Sequence, residues 1–106
     1  MKTVTVHEWN GMRVDVWQMD SGDKIERHSH PFQHTTGVVC GKSMVTIFGD
    51  GASSSWIMRP GDKDYAFISD LEHEIEALQN GTIVINMQYP GLSGKKGNDG
   101  GIATDD

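Results

Sequence analysis

Short turn signals recur along this chain at intervals that leave room for strands and little else. Asn10-Gly11, Gly41-Lys42, Gly49-Asp50-Gly51, Pro60-Gly61-Asp62 and Asn80-Gly81 cut it into segments of strand length. Residues 3–9 and 12–19 alternate apolar and polar with period two, Val4 and Val6 and then Val14 and Val16 opposing polar neighbours. Asn10-Gly11 between them is the strongest short hairpin signal, because both residues tolerate the positive φ of a type I′ turn. Further β-prone stretches are residues 25–30, 35–40, 43–48, 54–58, 64–68, 73–78 and 82–89. About nine short strands joined by tight turns predict an all-β sandwich or barrel. Residues 71–78 (LEHEIEAL) are good helix formers, but their parity favours a strand. His73, Ile75 and Ala77 fall on one side, and Glu72, Glu74 and Glu76 on the other, where they should meet solvent.

The 106 residues suffice for one compact domain. Fifteen Asp and Glu against nine Lys and Arg give a formal charge of -6, and no basic stripe suits a phosphate backbone, so nucleic acid is excluded as a partner. Apolar runs are too short to span a membrane, and the first ten residues lack the succession of a secretion signal. A soluble, cytoplasmic protein is expected. The single Cys40 cannot form an internal disulfide and reads as a buried small hydrophobe. Stability must come from packing, a metal or a partner subunit. From Gly91 the composition (GLSGKKGNDGGIATDD) offers almost nothing to bury. The expected organisation is a barrel over residues 1–90 and a flexible tail over 91–106.

Chemistry concentrates in the histidines. His28, His30 and His34 lie within seven residues, and His73 follows some forty residues later. His7 stands alone and reads as a surface imidazole. Residues two apart on a strand share a face, so His28 and His30 form a pair of potential ligands. Pro31 cannot donate to a β-ladder and should end or bend the strand, letting His34 return from the next one. Imidazole suits zinc, copper, iron and nickel, and the lack of a nearby cysteine argues against thiolate-bound structural zinc. The plain alternative is a polar strand edge with solvated imidazoles. Glu26 shares the parity of His28 and His30, which makes it either a candidate catalytic proton acceptor facing the site or a solvated rim residue.

Residues 22–41 (GDKIERHSHPFQHTTGVVCG) resemble the first motif of the cupin superfamily, G-x5-H-x-H-x3,4-E-x6-G. Gly22, His28, His30, His34 and Gly41 match every spacing, with His34 where the motif has Glu. The second motif, G-x5-P-x-G-x2-H-x3-N, is echoed more faintly. Pro60-Gly61-Asp62 resembles its opening and His73 takes its histidine position, while Ile68, Asp70 and Ala77 replace its proline, glycine and asparagine. The resemblance spans Gly22 to Ala77. It implies a small antiparallel β-barrel of jelly-roll type, the double-stranded β-helix, enclosing a divalent transition metal (Mn, Fe, Ni, Zn or Cu) bound by His28, His30, His34 and His73. Four neutral imidazoles would leave the ion its full double charge, making a bound water more acidic and holding an anionic substrate better.

Several functions use such a site. One is a metal-dependent enzyme acting on a small organic substrate, either a dioxygenase-like oxidoreductase or a Lewis-acid isomerase or lyase. Others are a non-catalytic module that binds or senses a small ligand or metal, and a barrel held together by zinc. Tyr65, Phe67, Trp56, Phe48, Met44, Ile75 and Met87 are candidates for the pocket lining or for plain core. Trp9 and Trp17 on the early strands are candidates for a homodimer interface or for simple burial.

Overall fold

The computed structural model describes residues 1–29, 32–67 and 70–93. Among the described residues nine strands follow one another: β1 (Lys2–Trp9), β2 (Met12–Met19), β3 (Lys24–His28), β4 (Phe32–Cys40), β5 (Ser43–Gly49), β6 (Ala52–Met58), β7 (Tyr65–Phe67), β8 (Glu72–Ala77) and β9 (Thr82–Ser93). Among the described residues there is no helix. All strand pairs are antiparallel, in a five-stranded sheet of order β1-β2-β9-β4-β7 and a four-stranded sheet of order β3-β8-β5-β6. The sheets face each other across a core of Met19 and Val84 from the first and Val45, Met58, Ile75 and Ala77 from the second, with Phe67 of β7. Each large side chain so buried contributes about 1.5–3 kcal/mol. This is the all-β sandwich expected from the turn spacing, in the jelly-roll form that the cupin resemblance implies.

The β1–β2 turn has Asn10 at φ 54° and Gly11 at φ 83°, the pair of positive angles that type I′ demands. The LEHEIEAL segment is strand β8, paired with β3 on one side and β5 on the other, so both its backbone edges are satisfied. His73, Ile75 and Ala77 are buried. On the opposite face Glu72 pairs with Arg27 and Glu74 with Lys24. Helix propensity yields here to an alternating pattern that two neighbouring strands can use.

In β2 the alternation holds but its sense is inverted. Asp15, Trp17 and Met19 face the other sheet, and Val14 and Val16 face outward. Cys40 is exposed, contrary to the expectation of burial. A bulge at Val39, where the β4–β9 register shifts, brings Cys40 opposite the outward-facing Ile83. Strand β9 runs three residues beyond the point where the glycine-rich composition starts; residues 94–106, and with them most of the expected tail, lie outside the described residues.

Candidate metal centre and its cavity

Strands β3 and β8 bring the first two histidines together. Ile25 pairs with Ile75 and His28 with His73, so Glu26 and Arg27 oppose the single Glu74 in a β-bulge. The imidazoles of His28 and His73 meet edge to face with centroids 4.3 Å apart. His34 arrives from β4 in the other sheet, its ring 4.9 Å from that of His73. His34 and His73 are 3% and 1% exposed. Phe67 backs them both, stacked at 4.9 Å on His34 and at 4.2 Å on His73.

Two backbone hydrogen bonds orient these rings. His28 Nδ1 lies 2.6 Å from the carbonyl oxygen of Glu26, and His73 Nδ1 lies 2.8 Å from that of Leu71. A carbonyl only accepts, so each Nδ1 carries the proton and donates. The lone pair of each neutral ring therefore resides on Nε2. This arrangement, a backbone acceptor fixing the tautomer of an imidazole, is the usual support of a metal-ligating histidine. Among the described residues no three His, Cys, Asp or Glu side chains already surround a common point. His30, the remaining histidine of the set, lies outside the described residues, as does Pro31.

His34 also explains itself locally. A carboxylate at this buried position would turn its charge toward the negative face of Phe67, whereas a neutral imidazole stacks there at an interplanar angle of 16°. Asp70, which replaces the glycine of the second motif, has φ 64°. Aspartate tolerates this left-handed region better than most residues, which lets it stand where the motif has glycine.

A cavity of about 300 Å³ opens beside the rings. His28, His34 and His73 share its wall with Asp15, Thr36, Asn86 and Gln88, while Trp17, Ile25, Ile75 and Val84 supply the apolar part. Asp15 is 6% exposed. Its Oδ1 accepts hydrogen bonds from Thr5 Oγ1 at 2.7 Å and Arg13 Nε at 3.1 Å, and no described residue donates to Oδ2. Thr36 Oγ1 donates to Asn86 Oδ1 at 2.9 Å, so the Asn86 amide presents its NH2 as the remaining polar group. Among the described lining residues there is no lysine or arginine.

The structure thus gathers His28, His34 and His73, and it moves Glu26 away. Glu26 is exposed and absent from the cavity wall, because the bulge cancels the parity it was expected to share with His28. Its backbone carbonyl serves the site instead. Of the apolar lining candidates Ile75 reaches the cavity and Phe67 lies behind the rings. Trp56 and Tyr65 pack against the core, and Phe48 carries the Arg27 guanidinium 4.0 Å above its ring. Met44 and Met87 fall on outward parities. Trp17 lines the cavity, whereas Trp9 is 71% exposed and His7 is also exposed. Sequence reasoning missed Asp15, Asn86 and Gln88. The available signal was that Asp15, Trp17 and Met19 share one parity.

Two antiparallel sheets face each other with histidines of both turned into one cavity, and the chain has the cupin fold. The sequence matches no protein-family profile and no curated protein. Among solved structures it resembles KdgF from Halomonas sp., with TM-score 0.73 and 21% identity over 83% of this chain and 78% of that one. A cupin superfamily protein from Desulfitobacterium hafniense aligns with TM-score 0.70 and 8% identity over 82% and 74% of the two chains. Oxalate decarboxylase from Bacillus subtilis, a protein with Mn(II) centres, aligns with TM-score 0.68 and 24% identity over 89% of this chain and 25% of its own. Enzymes therefore stand among the structural neighbours, at identities that speak for the fold alone.

Proposed function

We propose that this chain is a metal-dependent cupin enzyme acting on a small hydroxy-carbonyl compound. His28, His34 and His73, joined by His30 from its place in the motif, hold one divalent transition metal. The observation that carries this reading is the commitment of both Nδ1 protons to backbone carbonyls, which leaves Nε2 of His28 and His73 as the donor atoms. Structural neighbours that include Mn(II)-containing and oxalate-converting proteins lend it support. The ion, when bound, supplies Lewis-acid or redox chemistry at a substrate oxygen.

The protein's own groups select the substrate. Trp17, Ile25, Ile75 and Val84 exclude water from one side of the ligand, and the volume admits only a small molecule. Asp15 accepts a hydrogen bond from a ligand hydroxyl, and the amides of Asn86 and Gln88 donate to its oxygens. The described wall holds the Asp15 carboxylate, whose ion pair with Arg13 lies off the wall, and no cation of its own, which disfavours a dicarboxylate such as oxalate. Asp15 also provides an acceptor for a proton moved on the substrate. That favours isomerase or lyase chemistry over the dioxygenase-like alternative, which needs no such group.

The test is a titration followed by the side-chain amide signals of Asn86 and Gln88 in NMR spectra, with Zn(II) present and absent. Glycolaldehyde and dihydroxyacetone should move those signals, oxalate should not, and Asp15→Asn should weaken binding about tenfold, as loss of a charged hydrogen bond does. Equal binding of oxalate, or an Asp15→Asn variant that binds unchanged, would contradict the assignment.

A further inference from the structure

Thr5, Asp15, Asn86 and Thr36 stand opposite one another on β1, β2, β9 and β4, so their side chains form one transverse row on the inner face of the five-stranded sheet. Thr5 keeps its place in the row because it precedes the irregularity in β1: the register shifts between Thr5 and His7, leaving Val6 as the extra residue. The two threonines act alike from opposite ends. Thr36 Oγ1 donates to Asn86 Oδ1 at 2.9 Å, and Thr5 Oγ1 donates to Asp15 Oδ1 at 2.7 Å. Thr36 belongs to the cavity wall and Thr5 does not, so the Thr5 hydroxyl can influence a ligand only through Asp15. Arg13, on the same face of β2, adds a constraint. Its Nε donates to the same Oδ1 at 3.1 Å, while its Nη2 donates to Thr5 Oγ1 at 3.3 Å. A guanidinium beside a carboxylate frequently forms two parallel bonds, one to each oxygen. Here the hydroxyl takes the second of these, both donors to Asp15 converge on Oδ1, and among the described residues none donates to Oδ2.

We infer that Thr5 is a positioning residue: by engaging Arg13 Nη2 and Asp15 Oδ1 together, it confines the ion pair to one carboxylate oxygen and leaves Oδ2 to accept the ligand's hydroxyl. This role rests on the reading of Asp15 as the ligand's acceptor. A carboxylate offers about four lone-pair sites, so one oxygen can serve the protein while the other serves the ligand. Thr5→Val removes the hydroxyl and keeps the side chain's shape. Nη2 is then released, and the guanidinium closes on both oxygens of Asp15. The acceptor is lost although every residue of the cavity wall is unchanged. Replacing the guanidinium as well, in Thr5→Val/Arg13→Gln, reopens Oδ2, because the single amide nitrogen of glutamine cannot form the fork. A threonine that merely holds β1 against β2 predicts the opposite, a further loss in the double variant.

Crystal structures and ligand titrations test this together. In the Thr5→Val structure Arg13 Nη2 should lie within hydrogen-bond distance of Asp15 Oδ2, a result that needs no ligand. Glycolaldehyde titrations with Zn(II) present, followed by the Asn86 side-chain amide signals, should show binding weakened about tenfold in Thr5→Val, as loss of a charged hydrogen bond does. Thr5→Ser and Thr5→Val/Arg13→Gln should each recover most of that loss. Thr5→Val/Asp15→Asn should bind no worse than Asp15→Asn, because both changes remove one contact. Thr3→Val, which removes a neighbouring hydroxyl of β1, should bind as the parent does. Three results would each overturn the inference while leaving the role of Asp15 intact: parent-like binding by Thr5→Val where Asp15→Asn is weakened, an Nη2 that stays off Oδ2, or a Thr5→Val/Arg13→Gln variant that binds worse than Thr5→Val. If Asp15→Asn binds unchanged, the reading of Asp15 fails, and the role of Thr5 with it.

Discussion

A few side chains decide what this barrel can do, and they come from four strands and both sheets. His28 and His73 face each other across one register position, and His34 joins them from β4. Asp15 adds a buried carboxylate to the same cavity. The histidines were legible because their spacing survives in the linear sequence. Asp15 was not, because a valine on either side suggested that the valines face the core. Asp70 shows the reverse situation, a position where the motif has glycine and this chain holds a non-glycine residue in the left-handed region. Asp70→Gly should therefore raise stability by about 0.5–1 kcal/mol, since glycine adopts positive φ without steric cost. Urea denaturation of the two proteins side by side would check this, and a loss of stability would mean that the aspartate side chain contributes more than its backbone costs.

At the scale of elements, all nine strands were readable from alternation and turn chemistry, including β8 against its helix propensity. What the alternation did not reveal was which side of β2 faces inward, nor the bulge in β3. Parity is a relative signal: a strand with apolar residues on both sides fits either orientation, and one inserted residue reverses everything after it. Glu26 left the cavity for that reason, and Cys40 reached the surface through the bulge at Val39. The β4–β5 connection is held more tightly. Gly41 has φ 80°, and a Cβ there would lie 2.4 Å from Thr82 Oγ1 and 2.8 Å from Thr82 Cα. Gly41→Ala should cost about 2–3 kcal/mol, combining left-handed strain with a backbone collision. Chemical denaturation would measure it, and a near-neutral result would show that the β4–β5 turn and β9 can move apart freely.

The whole molecule joins a small closed core to the histidine-lined cavity, and its response to acid has an identifiable part. Asp23 accepts a hydrogen bond from the Asp20 backbone N–H at 2.8 Å, which holds its carboxyl below the ordinary carboxylate range. Its lowered value in the folded state means that its stabilising contribution is complete above the ordinary range. That contribution is lost as pH falls through that range to the folded value. Melting curves of Asp23→Asn should accordingly depend less on pH in the acid region than those of the parent protein, and parallel curves would remove Asp23 from the account. Metal binding is the property on which the functional reading depends. Elemental analysis, before and after incubation with Mn(II), Fe(II), Ni(II) or Zn(II), measures it directly. About one ion per chain is expected, with affinity reduced more than about 100-fold in His28→Ala and His73→Ala, since even a supporting residue beyond the ligands is worth about 10–100-fold. A chain that stays metal-free after incubation, or variants that hold metal as tightly as the parent, would contradict it.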